Sequence, residues 1–387
     1  MIYLLRSLLL YVSLIVTALA GNGEAQTAFG SSPIVLGQSC ALSGPAKNLG
    51  LEMKAGLLAA FAFINDRGGV KGKEVRLVSL DDGYEPDKAV SNTLTLINEH
   101  DAFLLIGEVG TPTSKAVIPI IEKYKIPFFA PFTGAELLRT PFRKYVINVR
   151  ASYYQEMEKL ASYLIDQRKF SRISCFYQND SYGYAGLRGI ERALQKRDMR
   201  LVSRGTYERN TLAVMGGLQD IYSADPEAVV LVGAYTACAE FIKLSKSKMK
   251  RDITFGNISF VGTESLKDSL GAYGVDVIVS QVVPDPQETK IPLVSEYTQS
   301  MQQYQHDAPI SFTSLEGYIA GKLFSQIAQA VPGTLTREAF ISTMQSVGTF
   351  DLGGVTLVFG PDDHQGLDAI YLTTIYPSIL KLDTERQ

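Results

Sequence analysis

The chain is short of the residues on which most catalytic and metal centres are built. Its 387 residues include three histidines, His100, His306 and His364, and three cysteines, Cys40, Cys175 and Cys238. Each histidine falls in a polar stretch at a helix end or turn and reads as exposed, so a histidine-dependent triad or a metal site is hard to assemble. The cysteines lack metal-ligand spacing, and their odd number leaves at least one thiol over. Two sit in strand-like runs and the third opens a helix, a pattern that reads as three buried free thiols. A G-x-S-x-G elbow, a P-loop, a G-x-G-x-x-G turn and an H-E-x-x-H helix are all missing, which argues against enzyme activity. Basic excess is missing too: 37 Lys and Arg stand against 40 Asp and Glu, for a net charge of -3. A phosphate backbone asks for a positive face, so nucleic acid is not an expected partner. No catalytic residue, metal or cofactor is expected.

Long apolar runs are also lacking, except at the start. Arg6 is followed by an apolar run from Ser7 to Ala20 that ends in Ala18-Leu19-Ala20. A basic residue, a short apolar stretch and an A-x-A site read as a secretory signal peptide over residues 1–20. A membrane anchor needs about 20 apolar residues, more than this run provides. No cysteine lies near the cut to carry a lipid. The expected mature protein is therefore free in the periplasm, an oxidising compartment that would permit a disulfide.

What the sequence does have is a long alternation of strands and helices. The length predicts two domains, because single cores rarely grow past about 250–300 residues. Strands are expected at Ile34–Cys40, Val75–Leu80, Phe103–Ile106, Pro127–Ala130 and Tyr145–Val149, with helices at Leu51–Asn65, Pro86–Asn98 and Pro112–Tyr124 between them. The pattern then restarts. Strands at Ile173–Tyr177, Leu201–Thr206, Ala228–Val232, Ser259–Val261 and Val275–Gln281 alternate with helices from Tyr154 to Lys246. Such alternation indicates α/β lobes with parallel, doubly wound sheets. The tail, with helices at Val294–Gln305, Leu315–Val331 and Arg337–Ser346, starts no third domain and must pack on lobes already made. The chain then crosses between lobes near Arg150–Tyr154, Val283–Pro286 and Gly360–Gly366. This assigns 33–151 plus 285–360 to an N-terminal lobe and 152–284 plus 361–382 to a C-terminal lobe.

In doubly wound sheets, ligands bind beyond the carboxyl ends of the strands, so the residues after each strand are the candidates. Thr111-Pro112 reads as the cap and first residue of a helix, whose free N–H groups suit a carboxylate. Thr133 offers a second hydroxyl from the neighbouring strand end. The second lobe offers Tyr182, Tyr235 and Glu264 at three strand ends. Hydroxyls on one lobe and a carboxylate on the other would match a zwitterion, with Glu264 meeting an ammonium. Each side chain alone also reads as a solvated loop residue, as does the Asp81-Asp82 pair.

These segments carry a resemblance. Ala41–Pro45, the run Ile64-Asn65-Asp66-Arg67-Gly68-Gly69-Val70-Lys71-Gly72, Asp81-Asp82, Gly107–Thr113, Asp180–Gly183 and Gly262-Thr263-Glu264 resemble, in order and spacing, the periplasmic binding proteins of branched-chain amino-acid ABC transporters, the leucine/isoleucine/valine-binding type. The likeness runs from Ile34 to Ile375. It implies two Rossmann-like lobes joined by three crossings, which close around a ligand and dock on a membrane permease, and a monomer. A sensor that reports a bound amide or carboxylate to a signalling partner is the alternative. The resemblance implies that Thr111 and Thr133 hold the ligand carboxylate, that Tyr182 closes from the second lobe, and that Tyr235 and Glu264 meet the ammonium. Three departures stand out. Leu49 occupies a position that is often aromatic, against the ligand side chain. The segment 131–135 is one residue shorter than the usual form. Residues 148–153 differ near the first crossing, where Arg150 either binds a second acidic group or is a hinge-strand arginine.

Overall fold

The computed structural model describes residues 32–249 and 252–376. The signal-peptide assignment lies outside them. Strand β1 (Ile34–Cys40) pairs with β2 (Val75–Asp81) on one side and β3 (Leu104–Ile106) on the other. Strands β4 (Phe128–Phe129) and β5 (Val146–Ile147) extend a parallel sheet of order β2-β1-β3-β4-β5. Strands β6 (Ile173–Gln178), β7 (Ser203–Tyr207), β8 (Ala228–Val232), β9 (Thr254–Asn257) and β10 (Val277–Gln281) form a second parallel sheet. A hairpin, β11 (Thr349–Asp351) and β12 (Thr356–Val358), follows the last helix, and β13 (Tyr371–Ile375) adds antiparallel to β10 at the edge of the second sheet. The near-continuous apolar runs of β3 and β8 follow from burial on both faces, as helices cover each side of a parallel sheet.

The expected crossings are present. The chain leaves the first sheet after β5 and enters the second lobe through the helix Tyr153–Ala161. It returns after β10 to supply the helices Pro292–Tyr304, Phe312–Ala330 and Arg337–Val347. Phe324 and Phe340 pack on Phe61, Phe103 and Phe129 of the first lobe. The chain crosses a last time to reach β13. The first and third crossings run side by side: Asn148 N–H donates to His364 O at 2.8 Å and Gly366 N–H to Asn148 O at 2.9 Å. Arg139 ties both crossings, donating to Gln365 Oε1 at 2.6 Å and Arg150 O at 2.8 Å.

The helices Lys47–Asn65 and Phe312–Ala330 approach at backbone distance. A Cβ at Gly56 would lie 1.8 Å from Ser314 O, and one at Gly317 would lie 2.4 Å from Met53 O. Only glycine fits either point of contact, and the approach packs helix against helix without an intervening side-chain layer.

Four expectations need correction. Ser259–Val261 is a 3-10 turn and the strand is Thr254–Asn257; Gly256 and Asn257 hid it, because neither favours a strand. Thr349–Asp351 was read as no element and is half of the hairpin. His364 is buried, with Nδ1 at 3.1 Å from Val146 O, and burial pushes its pKa down. Asp82 is also buried, accepting from Ser39 Oγ at 2.8 Å and Tyr84 N–H at 2.7 Å, while Asp81 accepts from the Leu42, Ser43 and Gly83 N–H groups. The acidic pair is a structural clasp. The three thiols are free and buried, as expected.

Candidate functional site

The helix Thr111–Tyr124 follows β3 after the four-residue loop 107–110. Its cap is Gly110, whose φ of 107 suits only glycine, and Thr111 is the first helical residue rather than the cap. The Thr111 hydroxyl is thereby released to the cleft, where it lies 2.6 Å from the Thr133 hydroxyl. Thr133 also donates to the Tyr153 hydroxyl at 3.1 Å. All three side chains are fully buried. Two strand-end loops thus present paired hydroxyls beside a helix N-terminus, where the first N–H groups carry partial positive charge.

Tyr182 faces this pair from the second lobe. It follows Asp180, which caps the helix Ser181–Gln195 by accepting from the Tyr182 N–H. The Tyr182 ring lies 5.6 Å from that of Tyr153. Its hydroxyl is buried and makes no hydrogen bond among the described residues. Sequence reasoning missed Tyr153; its signal was its place directly after the first crossing.

Leu49, Tyr235 and Glu264 form a second group. Leu49 is buried and packs against Gly262: a Cβ there would lie 2.6 Å from Leu49 Cδ2. The Tyr235 hydroxyl accepts from the Asn48 N–H at 3.5 Å. Glu264 is pushed up to about 8 by burial first and then by the charge of Glu52, partly offset by backbone N–H groups and Lys267. Its Oε2 makes no hydrogen bond among the described residues. Glu52, another residue the sequence reading missed, accepts from Ser265 Oγ at 2.9 Å and Ser311 Oγ at 2.7 Å. Ser265 in turn accepts from Asn48 Nδ2 at 3.1 Å, so this end of the cleft is latched between lobes. At the other end Arg209 spans Glu85 at 2.7 Å and Asp180 at 3.1 Å. The lobes are closed on each other. The segment Phe260–Gly262 links the two groups.

Arg150 is fully buried, at the first crossing. Its guanidinium bonds Ser259 Oγ, stands 3.4 Å from Glu316 Oε1 and lies over the Phe132 ring at 4.5 Å. Burial works against its charge, but Glu316 and Glu156 hold its pKa up. Glu316 is pushed up to about 7 by burial, against the pull of Arg150. Glu156 is held by Ser259 N–H at 2.8 Å and Ser280 Oγ at 2.6 Å. Arg150 therefore has carboxylates from both lobes around it, while its Nη1 makes no hydrogen bond among the described residues. Arg150 is thus a buried residue of the first crossing, held between acids of the two lobes and not exposed at the surface.

Two surface cavities, of about 270 and 690 Å³, lie on the hinge side, around Arg139, Asn148, Gln155 and Glu158. Neither is lined by Thr111, Thr133, Tyr182, Tyr235 or Glu264. Among the described residues no cluster of His, Cys, Asp and Glu fits a metal ion, and no helix is long and apolar enough to cross a membrane.

Comparison with known proteins agrees with the two-lobed fold. Residues 33–377 match the family model described as periplasmic binding protein. A crystal structure from Rhodopirellula baltica, described as a possible leucine/isoleucine/valine-binding protein, superposes with a TM-score of 0.86 at 36% identity, covering 91% of this chain and 96% of that one. The Leu/Ile/Val-binding protein homolog 7 of Brucella abortus is 24% identical over 323 residues, 80% of each chain. The branched-chain amino-acid transporter binding protein of Streptococcus pneumoniae, solved with isoleucine, shares the fold, with a TM-score of 0.76 at 17% identity, covering 88% of this chain and 96% of that one.

Proposed function

Because the chain belongs to the periplasmic binding protein family, we propose that it is the extracytoplasmic receptor of an ABC transporter, which captures an amino acid between its lobes and delivers it to a membrane permease. Membership makes it a binding protein and not an enzyme. The observation that carries the ligand class is the buried Thr111–Thr133 hydroxyl pair, 2.6 Å apart at a helix N-terminus. An α-carboxylate inserted there would take both hydroxyls and the helix N–H groups. Glu264, across the cleft, receives the ammonium, and Tyr235 and Leu49 bound that end. Tyr182 closes over the ligand from the second lobe. Arg150, already balanced by Glu316 and Glu156, donates Nη1 to a ligand oxygen. The related proteins described as Leu/Ile/Val-binding support an amino-acid ligand.

The receptor works as a monomer in the periplasm after loss of residues 1–20. Its moving bodies are 33–151 plus 285–360 and 152–284 plus 361–382, and ligand shifts them toward the closed pair because only that form makes contacts from both lobes. The test is a thermal-shift screen of protein stripped by unfolding and refolding, with amino acids, amides and carboxylates. A ligand at about 100 times its dissociation constant adds about 2.7 kcal/mol, worth a few degrees in a chain of this size. A shift confined to amino acids is the expected result. A shift with simple carboxylates alone would remove Glu264 from the site, and no shift at all would overturn the reading.

A further inference from the structure

The walls around the paired hydroxyls are aromatic, and they come from both lobes. Tyr84 follows β2 and Phe132 follows β4, while Tyr182 follows β6 and Phe260 follows β9. Phe260 is the hub: its ring centroid is 4.5 Å from Tyr182, 5.5 Å from Phe132 and 6.0 Å from Tyr84. Tyr153 adds a fifth ring beside Tyr182. All five are at most 1% exposed. This seam lies directly against the hydroxyl pair. A Cβ at Gly110 would lie 2.2 Å from the Tyr84 ring, and one at Gly134 would lie 2.7 Å from the Tyr153 ring. Gly110 precedes Thr111 and Gly134 follows Thr133. A ligand whose carboxylate sits on those hydroxyls brings its side chain against these rings.

Two polar groups in the seam are unmatched. The Tyr182 hydroxyl and Arg150 Nη1 are buried and make no hydrogen bond among the described residues, and Arg150 lies over Phe132. A saturated alkyl side chain would leave both unsatisfied when the cleft closes, which costs affinity. A ring carrying a polar atom would satisfy them and would also meet the surrounding rings edge-to-face or offset, geometries that an alkyl chain cannot match.

We propose that the preferred ligand is an aromatic amino acid, with its ring in the seam between Phe132, Tyr182 and Phe260 and with a polar ring substituent favoured. This rests on the receptor reading above. The test is titration calorimetry of stripped protein with phenylalanine, tyrosine, leucine, isoleucine and 4-hydroxybenzoate. Tyrosine or phenylalanine binding at least about fivefold tighter than leucine, the scale of ring–ring preference, is the expected result. Leucine or isoleucine binding as tightly as either would overturn the proposal and leave the amino-acid receptor intact. Binding of 4-hydroxybenzoate but of no amino acid would overturn both the amino-acid ligand and the role of Glu264. In Phe260→Leu the ratio of aromatic-ligand affinity to leucine affinity should fall toward unity. In Tyr182→Phe, tyrosine should weaken more than phenylalanine does. Equal losses for both ligands in both variants would mean that the rings serve closure only, and would sink the specificity claim.

Discussion

Ligand binding should be strongly pH-dependent, with the sign set by Glu264. In the ligand-free protein its carboxyl is pushed up to about 8 by burial and by Glu52. Below that pH it is mostly protonated, and a neutral acid cannot pair with an ammonium. Binding therefore has to expel a proton first. The apparent affinity is reduced by a factor of one plus ten to the power of the pKa minus the pH. That factor is about 11 at pH 7 and about 100 at pH 6, or about 1.4 kcal/mol for each unit. Affinity should rise about 50-fold from pH 6 to pH 8 and level off above it. Binding at pH 7 should release about 0.9 proton per ligand, read from the dependence of calorimetric enthalpy on buffer ionisation. Glu52 is held by two serine donors, so the titration belongs to the acid pair, with Glu264 its responsive member. In Glu264→Gln the affinity should drop sharply at pH 8 and lose its pH slope. Wild-type affinity that is flat from pH 6 to pH 8, with no buffer dependence, would refute the assignment of Glu264 to an ammonium.

Three further outcomes follow from the geometry. Thr111→Val keeps the shape but removes a hydroxyl that a carboxylate would use; ligand affinity should fall about 10- to 100-fold while the unfolding midpoint of the free protein moves little, and unchanged affinity would clear Thr111 of any role. Gly56→Ala would place a methyl 1.8 Å from Ser314 O; it should cost at least about 1–3 kcal/mol in urea denaturation, and wild-type stability would mean the helices part easily. Asp82, Glu316 and Glu264 are raised to about 6, 7 and 8, so the folded state holds protons that the unfolded chain gives up. Their contribution to stability is complete below about pH 4 and is lost as pH rises through 6 to 8; the ligand-free protein should melt higher at pH 5 than at pH 8.5, with part of that slope missing in Glu316→Gln.

The two-lobed fold was legible because it depends on local signals. Strand and helix periods alternate along the chain, and strand-end loops are where such folds bind, so Thr111, Thr133, Tyr182 and Glu264 are candidates by position alone. The use of the Thr111 hydroxyl was misread: a threonine before a proline looks like a cap, but the φ of Gly110 moves the cap back one residue. Phe260 was taken for a strand residue because Phe260-Val261 is apolar, yet it is apolar to face other rings across the cleft. Glu52, Glu156 and Glu316 went unread, since nothing local distinguishes a buried helical acid from a solvated one. The available clue was that Glu316 is the only acid in the apolar helix Phe312–Ala330 and Glu52 the only one in Lys47–Asn65. What each of them meets is decided by partners far away in sequence.

The glycine contact between Lys47–Asn65 and Phe312–Ala330 also sets an order of assembly. The second sheet draws β6 to β10 from one continuous stretch, residues 173–281, and its pairings can form as that stretch becomes available. The first lobe cannot be completed in the same way. Its earliest helix must wait for one near the end, and the Ser311–Glu52 bond joins residues 259 apart. Contacts of such separation form late and slowly. A chain cut short before residue 312 would lack the partner of its first helix and the latch at Glu52, and would not capture ligand. The half of the lobe interface that holds the paired hydroxyls is thus withheld until nearly all of the polypeptide is present.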